Sequence, residues 1–189
     1  MTVFQNIRNG LIPARLTVDE LYALTEAGLV AESENIELID GEVVPMAAAK
    51  ANWHEQMKSA LTRALVLSLP DDARLFVEAS VTLSSATLVE PDLAVWVKGG
   101  NSREMRGPDL LLVVEVSDSS LAYDLRVKAP LYARYGVRDY WVVDAIRRTI
   151  RVHRDPVDGT YRDVEEYDGD VTVPALLLPG VRITLDSID

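Results

Sequence analysis

Leu110-Leu-Leu-Val-Val-Glu-Val116, then a polar break and the segment Leu121 to Tyr135, then Asp139-Tyr-Trp-Val-Val-Asp144, is the stretch that decides the fold. The first run is apolar without alternation, which is the pattern of a strand covered on both faces. Ser119 and Ser120 stand where a helix N-cap belongs, and Gly136 stands where a left-handed C-cap belongs. Strand, helix and strand in that order predict a βαβ unit, with the two strands parallel.

Outward from this unit the chain alternates between helix and strand signals. Downstream, Thr149 to Arg154 predicts a further strand, and Arg162–Tyr167 and Val181–Leu185 predict weaker ones. The C-terminal part, 155–189, reads as peripheral. Upstream, Pro91 opens a strand over Asp92–Val97, and Leu75 to Leu83 predicts another. Residues 50–69 carry Met57, Leu61, Ala64, Leu65 and Ser68 on one helical stripe, which Pro70 stops. Asp40-Gly41 between two apolar runs predicts a hairpin over Ile36–Val44, because both turn positions need positive φ. Thr17-Val-Asp-Glu20 fits a capping box for a helix that runs to Ala27 and ends at Gly28. Residues 1–15 read as an arm. The sum is an α/β fold, a central mixed sheet flanked by helices, in a single domain spanning 1–189.

Composition excludes several classes. With 189 residues a domain buries about 70% of its unfolded surface, enough for a real core. No apolar run is long enough to span a membrane, and the N-terminus lacks a basic-then-apolar export pattern, so a cytoplasmic location is expected. The lack of cysteine removes disulfides, thiolate metal sites and cysteine nucleophiles. Two histidines cannot make a histidine-rich zinc site, and no glycine-rich phosphate loop, HExxH or GxSxG is present. The net charge of −11 argues against a general grip on phosphates, yet Arg126 to Arg154 holds eight Lys/Arg against two acids. That segment is either a local basic surface or a set of solvated arginines.

Candidate functional residues are polar groups placed where an apolar one would pack better. Glu115 interrupts a buried strand, so it must be protonated, paired or metal-bound, unless it lies at an edge or beside an arginine. Asp92 stands at a strand start after Pro91; alone it is an ordinary turn aspartate. Two carboxylates on adjacent strand ends, however, suit Mg²⁺ or Mn²⁺. Lys128 falls on the inward arc of its helix, where it snorkels to an edge, meets a carboxylate, or pairs with Asp124 four residues earlier. His54 shares the inward stripe of Met57, Leu61 and Leu65; such a histidine is more often a satisfied core residue than a catalyst. Glu37 is either a site residue or a solvent-facing member of a hairpin strand.

Glu37-Leu-Ile-Asp-Gly-Glu42, His54 on a helix, Pro91-Asp92, Val114-Glu-Val-Ser-Asp-Ser-Ser120, Tyr123-Asp-Leu-Arg-Val-Lys128 and Tyr132-Ala-Arg-Tyr-Gly-Val-Arg-Asp-Tyr-Trp-Val-Val-Asp144 together resemble the Uma-type endonuclease family. The likeness runs from about Pro13 to Arg154, and only the combined spacing is specific. The family is grouped with the PD-(D/E)XK, restriction-endonuclease-like superfamily. The resemblance implies a restriction-endonuclease-like sheet flanked by helices, with a metal held by Asp92, Glu115 and the carbonyl of Val116. The superfamily's lysine stands two residues after the second acid, where this chain has Ser117. Lys128 is the natural replacement, orienting the attacking water or neutralising the scissile phosphate. Glu37 and His54 match family positions, as an outer metal or water ligand and a proton-transfer or phosphate-binding group.

The resemblance thus implies a metal-dependent endonuclease using Mg²⁺ or Mn²⁺, with nucleic acid as partner, DNA in first place and RNA second. The alternative is a degraded nuclease fold that binds nucleic acid or protein without cleaving, favoured by the acidic charge and the displaced lysine. A third alternative is an oligomeric scaffold, such as a homodimer, joined through the aromatic segment Tyr132 to Trp141.

Overall fold

The computed structural model describes residues 2–31, 34–46, 51–99 and 104–188. Its helices in chain order are α1 (Val3–Arg8), α2 (Val18–Glu26), α3 (Asn52–Ser68), α4 (Leu121–Tyr123) and α5 (Ala129–Arg134). Its strands are β1 (Ile36–Ile39), β2 (Glu42–Pro45), β3 (Ala73–Val77), β4 (Val81–Ser84), β5 (Thr87–Val89), β6 (Leu93–Val97), β7 (Leu110–Ser117), β8 (Asp139–Asp144), β9 (Thr149–Val157), β10 (Thr160–Asp168), β11 (Val173–Pro174) and β12 (Arg182–Ile183). These elements form two compact units, residues 1–49 with 80–90 and residues 50–79 with 91–189.

The first unit holds α1, α2 and a four-stranded sheet in the order β2-β1-β5-β4. The Thr17 hydroxyl accepts the Glu20 N–H while the Glu20 carboxylate accepts the Thr17 N–H at 2.7 Å, so the predicted capping box starts α2. Asp40 (φ 51°) and Gly41 (φ 84°) are both left-handed, as the β1–β2 hairpin requires. Residues 2–15 are more than an arm. Thr2 and Gln5 form a second capping box, and Val3 and Ile12 are buried with Leu16, Leu21, Leu38 and Leu88.

The second unit is built on a six-stranded sheet in the order β10-β9-β8-β7-β6-β3. Its strand pairs are antiparallel except β7 with β8, the parallel pair that the βαβ pattern predicts. Strand alternation gives β7 two differently covered faces. Leu112, Val114 and Val116 pack with Met57, Leu61 and Leu65 of α3. Val113 and Glu115 face the other side, where Tyr140 of β8 meets Tyr132 of α5 with ring centroids 4.8 Å apart. The segment 155–189 supplies more than cover. β10 extends the sheet, and Val173, Leu178, Val181, Ile183 and Leu185 are buried in the α3-side core. Tyr132, Tyr140 and Trp141 are fully buried, so these three rings belong to the core.

Two local expectations fail for identifiable reasons. The strand predicted over Leu75–Leu83 is two strands in two sheets, β3 and β4, because Glu78 (φ 50°) breaks the extended chain between them. The helix predicted over 121–135 holds a π-helical turn, Asp124–Lys128, between α4 and α5. Pro130 has no N–H and its ring crowds the carbonyl four residues back, so a regular ladder cannot pass through it. Ser120 does not cap this helix with its side chain; its hydroxyl goes to Asp124. Among the described residues, no helix is long and apolar enough to cross a membrane.

Candidate metal and catalytic site

The site grows from the end of the β6–β7 pair. Leu93 lies opposite Val114, and one further step in that register brings Asp92 opposite Glu115. Both carboxylates are buried, at 5% and 3% exposure. The Asp92 N–H donates to Glu115 Oε2 at 3.4 Å, and Asp92 Oδ2 accepts the Val116 N–H at 2.9 Å. The Ser117 carbonyl accepts the Ala145 N–H, so the backbone groups of Ser117 face β8. One residue earlier, the N–H and carbonyl of Val116 therefore face the β6 edge, where Asp92 lies.

From the α5 side, Lys128 Nζ donates to Glu115 Oε1 at 2.9 Å, and the Tyr132 hydroxyl donates to the same oxygen at 3.0 Å. Lys128 is 4% exposed, so it meets a carboxylate and does not snorkel. Asp124, the local partner considered for Lys128, instead accepts the hydroxyls of Ser117 and Ser120, each at 2.7 Å. Burial pushes the Asp124 carboxyl up; the Lys128 charge and the two hydroxyls oppose that rise. The Asp124 carbonyl accepts both the Ala129 N–H across the π-turn and the Tyr140 hydroxyl.

From the α3 side, His54 Nε2 lies 3.2 Å from Asp92 Oδ2 and its Nδ1 lies 3.1 Å from Glu55 Oε1. The ring thus bridges two carboxylates, one on each nitrogen. Lys58 Nζ then joins Glu55 Oε1 (3.0 Å) to Glu78 Oε1 (2.7 Å). The hydrogen bond from Lys58 holds the Glu55 carboxyl below its usual range. Glu78 returns to the site through its N–H, which donates to the Asp92 carbonyl at 3.1 Å.

The structure thus gathers Asp92, Glu115, Val116, Lys128 and His54 within the second unit. Glu37 belongs to the first unit; it is buried on β1, not solvent-facing, and its Oε1 accepts the Glu90 N–H at 3.0 Å. Sequence reasoning missed Tyr132 and the Glu55–Lys58–Glu78 chain as site neighbours, and it offered Asp124 as a local partner of Lys128, not of Ser117 and Ser120. Spacing carried a signal for several of them, since Asp124 and Tyr132 stand four residues either side of Lys128, and Lys58 four after His54.

The donor set is two carboxylates and a backbone carbonyl, all oxygen, which fits a hard divalent cation. Among the described residues no three His/Cys/Asp/Glu side chains form a metal-holding group. A cation here would complete its shell with water or substrate oxygens, as Mg²⁺ commonly does.

The Uma2 family model, described as "Putative restriction endonuclease", matches residues 18–186. A solved structure of a "putative nuclease belonging to DUF820" from Anabaena variabilis is 17% identical, covering 90% of this chain and 96% of its own, with a TM-score of 0.70. No curated protein matches the chain.

Proposed function

The chain belongs to the Uma2 family of "Putative restriction endonuclease" proteins, and from this membership we propose that it is a divalent-metal-dependent endonuclease hydrolysing phosphodiester bonds, with DNA as the first substrate to test. The observation that carries the proposal is the buried Lys128 ammonium 2.9 Å from Glu115, beside a second carboxylate from the neighbouring strand. The superfamily position for that lysine holds Ser117 here, and the α5 side supplies the cation instead.

Asp92, Glu115 and the Val116 carbonyl would hold Mg²⁺ or Mn²⁺, which when bound polarises the phosphate and acidifies a bound water. Lys128 holds a phosphate oxygen or the attacking water while negative charge develops. Tyr132 fixes Glu115 from the same side as Lys128, and His54 fixes Asp92 from the α3 side. Preorganised donors matter because they need no reorganisation as the reaction proceeds.

The test is cleavage of plasmid and oligonucleotide DNA, and of RNA, with Mg²⁺ or Mn²⁺ and with EDTA. Asp92→Asn and Glu115→Gln should abolish metal-dependent cleavage, and Lys128→Met should lower kcat by about 10²–10³, the size of losing one charge-stabilising donor. Full activity in either carboxylate variant would overturn the assignment. The net charge of −11 favours one rival, a non-cleaving binding module. That rival predicts no Mn²⁺ binding that depends on Asp92 and Glu115.

A further inference from the structure

Trp53 precedes His54 on α3 but points outward, with 63% of its surface exposed. It starts a stripe, Trp53, Gln56, Ala60 and Arg63, that lines one side of a groove of about 600 Å³. The ten helical rises from Trp53 to Arg63 make that side about 15 Å long. Ala145, Arg148 and Ile188, from outside α3, complete the lining. Arg63 is exposed, and its side chain has no hydrogen bond or ion pair among the described residues. Arg148 is shared with Asp186 at 2.9 Å. The single acid in the lining, Glu55, is already engaged by His54 and Lys58.

Trp53 is thus a largely exposed indole in a groove that also carries two arginines, one residue from a site histidine. We infer that this groove is a track for an unpaired nucleic-acid strand, in which Trp53 stacks on a base and Arg63 holds phosphate; the inference rests on nucleic acid being the substrate. The charges favour a polyanion over a peptide, because among the described lining residues Glu55 and Arg148 are both paired and Arg63 is the charge left uncommitted. The indole selects an unpaired strand, because a base inside a duplex offers no free face. In this arrangement the stacked base sits beside the residue that precedes His54 on α3.

The chain supplies its own reporter. Trp96 and Trp141 are 1% and 0% exposed, so a quencher in the groove reads Trp53. The experiment titrates the full chain in EDTA, where metal-dependent cleavage is absent, with oligo(dT), with a blunt duplex and with inorganic phosphate. Oligo(dT) should quench tryptophan emission saturably, and phosphate should not. By anisotropy of labelled oligo(dT), Trp53→Ala should weaken binding about five-fold or more, and Trp53→Phe should retain most of it. Arg63→Ala should reduce the slope of log affinity on log salt by about 0.7. Unquenched emission, quenching by phosphate alone, or equal losses for duplex and oligo(dT) in Trp53→Ala would overturn the inference. Binding through Trp53 without cleavage under any metal would leave the track standing and remove the hydrolase. Cleavage with Trp53 unquenched would do the reverse.

Discussion

At the scale of the residue, Glu115 and Lys128 depend on each other for being buried. A buried ion pair gains little net stability, but removing one partner leaves an uncompensated charge at a cost of about 3–5 kcal/mol. Glu115→Ala should therefore lower unfolding free energy in urea by about 3–5 kcal/mol. Glu115→Leu combined with Lys128→Met should recover much of that loss while remaining inactive, separating the pair's fold role from its chemistry. A double variant as unstable as Glu115→Ala would show that other donors, such as Tyr132, dominate. His153 gives a pH-dependent counterpart. Its ring lies 5.3 Å from that of Tyr140 and 5.5 Å from that of Tyr161, and its Nδ1 has no hydrogen-bond partner among the described residues. Burial pushes its pKa down from 6.5 to about 4. The unfolded chain then binds the extra proton between these values, so stability is full above pH 6.5 and is lost as pH falls toward 4. The whole window is worth about 3 kcal/mol. Urea melts of wild type and His153→Phe at pH 7 and pH 4.5 should show a smaller acid loss in the variant; parallel losses would remove His153 as the cause.

At the scale of the element, the signals read best where a local cause is strong. The Thr17–Glu20 capping box, the Asp40-Gly41 turn and the unbroken apolar run of β7 all form as predicted, because each is decided by a few neighbouring residues. The strand expected over Leu75–Leu83 divides in two because alternation continues across Glu78 while the partner sheet changes. Sequence periodicity records which way side chains point but not which sheet receives them. The π-turn had its cause in view, since Pro130 lies inside a helical pattern. The effect of that proline, a carbonyl of Asp124 serving both Ala129 and Tyr140, needed the packing of β8 against the helix. A similar fit is hidden at Gly107, just before β7. A methyl group there would lie 1.9 Å from the Tyr135 carbonyl oxygen, at the end of α5. Gly107→Ala should thus cost at least 1–3 kcal/mol, roughly 2–12 °C in Tm, by forcing the turn off the helix end. A melting point equal to wild type would mean that the turn yields freely.

At the scale of the whole molecule, charge and site legibility part company. The basic stretch 126–154 reads as either a local basic surface or a set of solvated arginines, but the fold pairs four of its arginines with acids. Arg147 and Arg151 pair with Glu166, Arg148 with Asp186 and Arg154 with Asp139, so much of the excess is spent internally. Glu166 and Asp186 lie outside the stretch, which is why a window of sequence could not show the compensation. The site was more legible, because a glutamate inside an apolar strand and a lysine on an inward arc are local anomalies. Asp92 was the less legible carboxylate: its standing depends on the register that puts it across from Glu115, a relation of two separate strands. That relation also sets how a metal should act on the entire chain. Two carboxylates from adjacent strands come together only in the folded state, so a cation they hold binds the native form preferentially and stabilises it. At a Mn²⁺ concentration about a hundred times its Kd the gain is about 2.7 kcal/mol, roughly 5–10 °C in Tm for a chain of this size. The increase should appear on adding Mn²⁺ to EDTA-treated protein, and should vanish in both Asp92→Asn and Glu115→Gln. An equal increase in wild type and both variants would place the ion elsewhere. No increase in wild type would leave the two carboxylates as partners of Lys128 and His54 alone, and the nuclease chemistry without its metal.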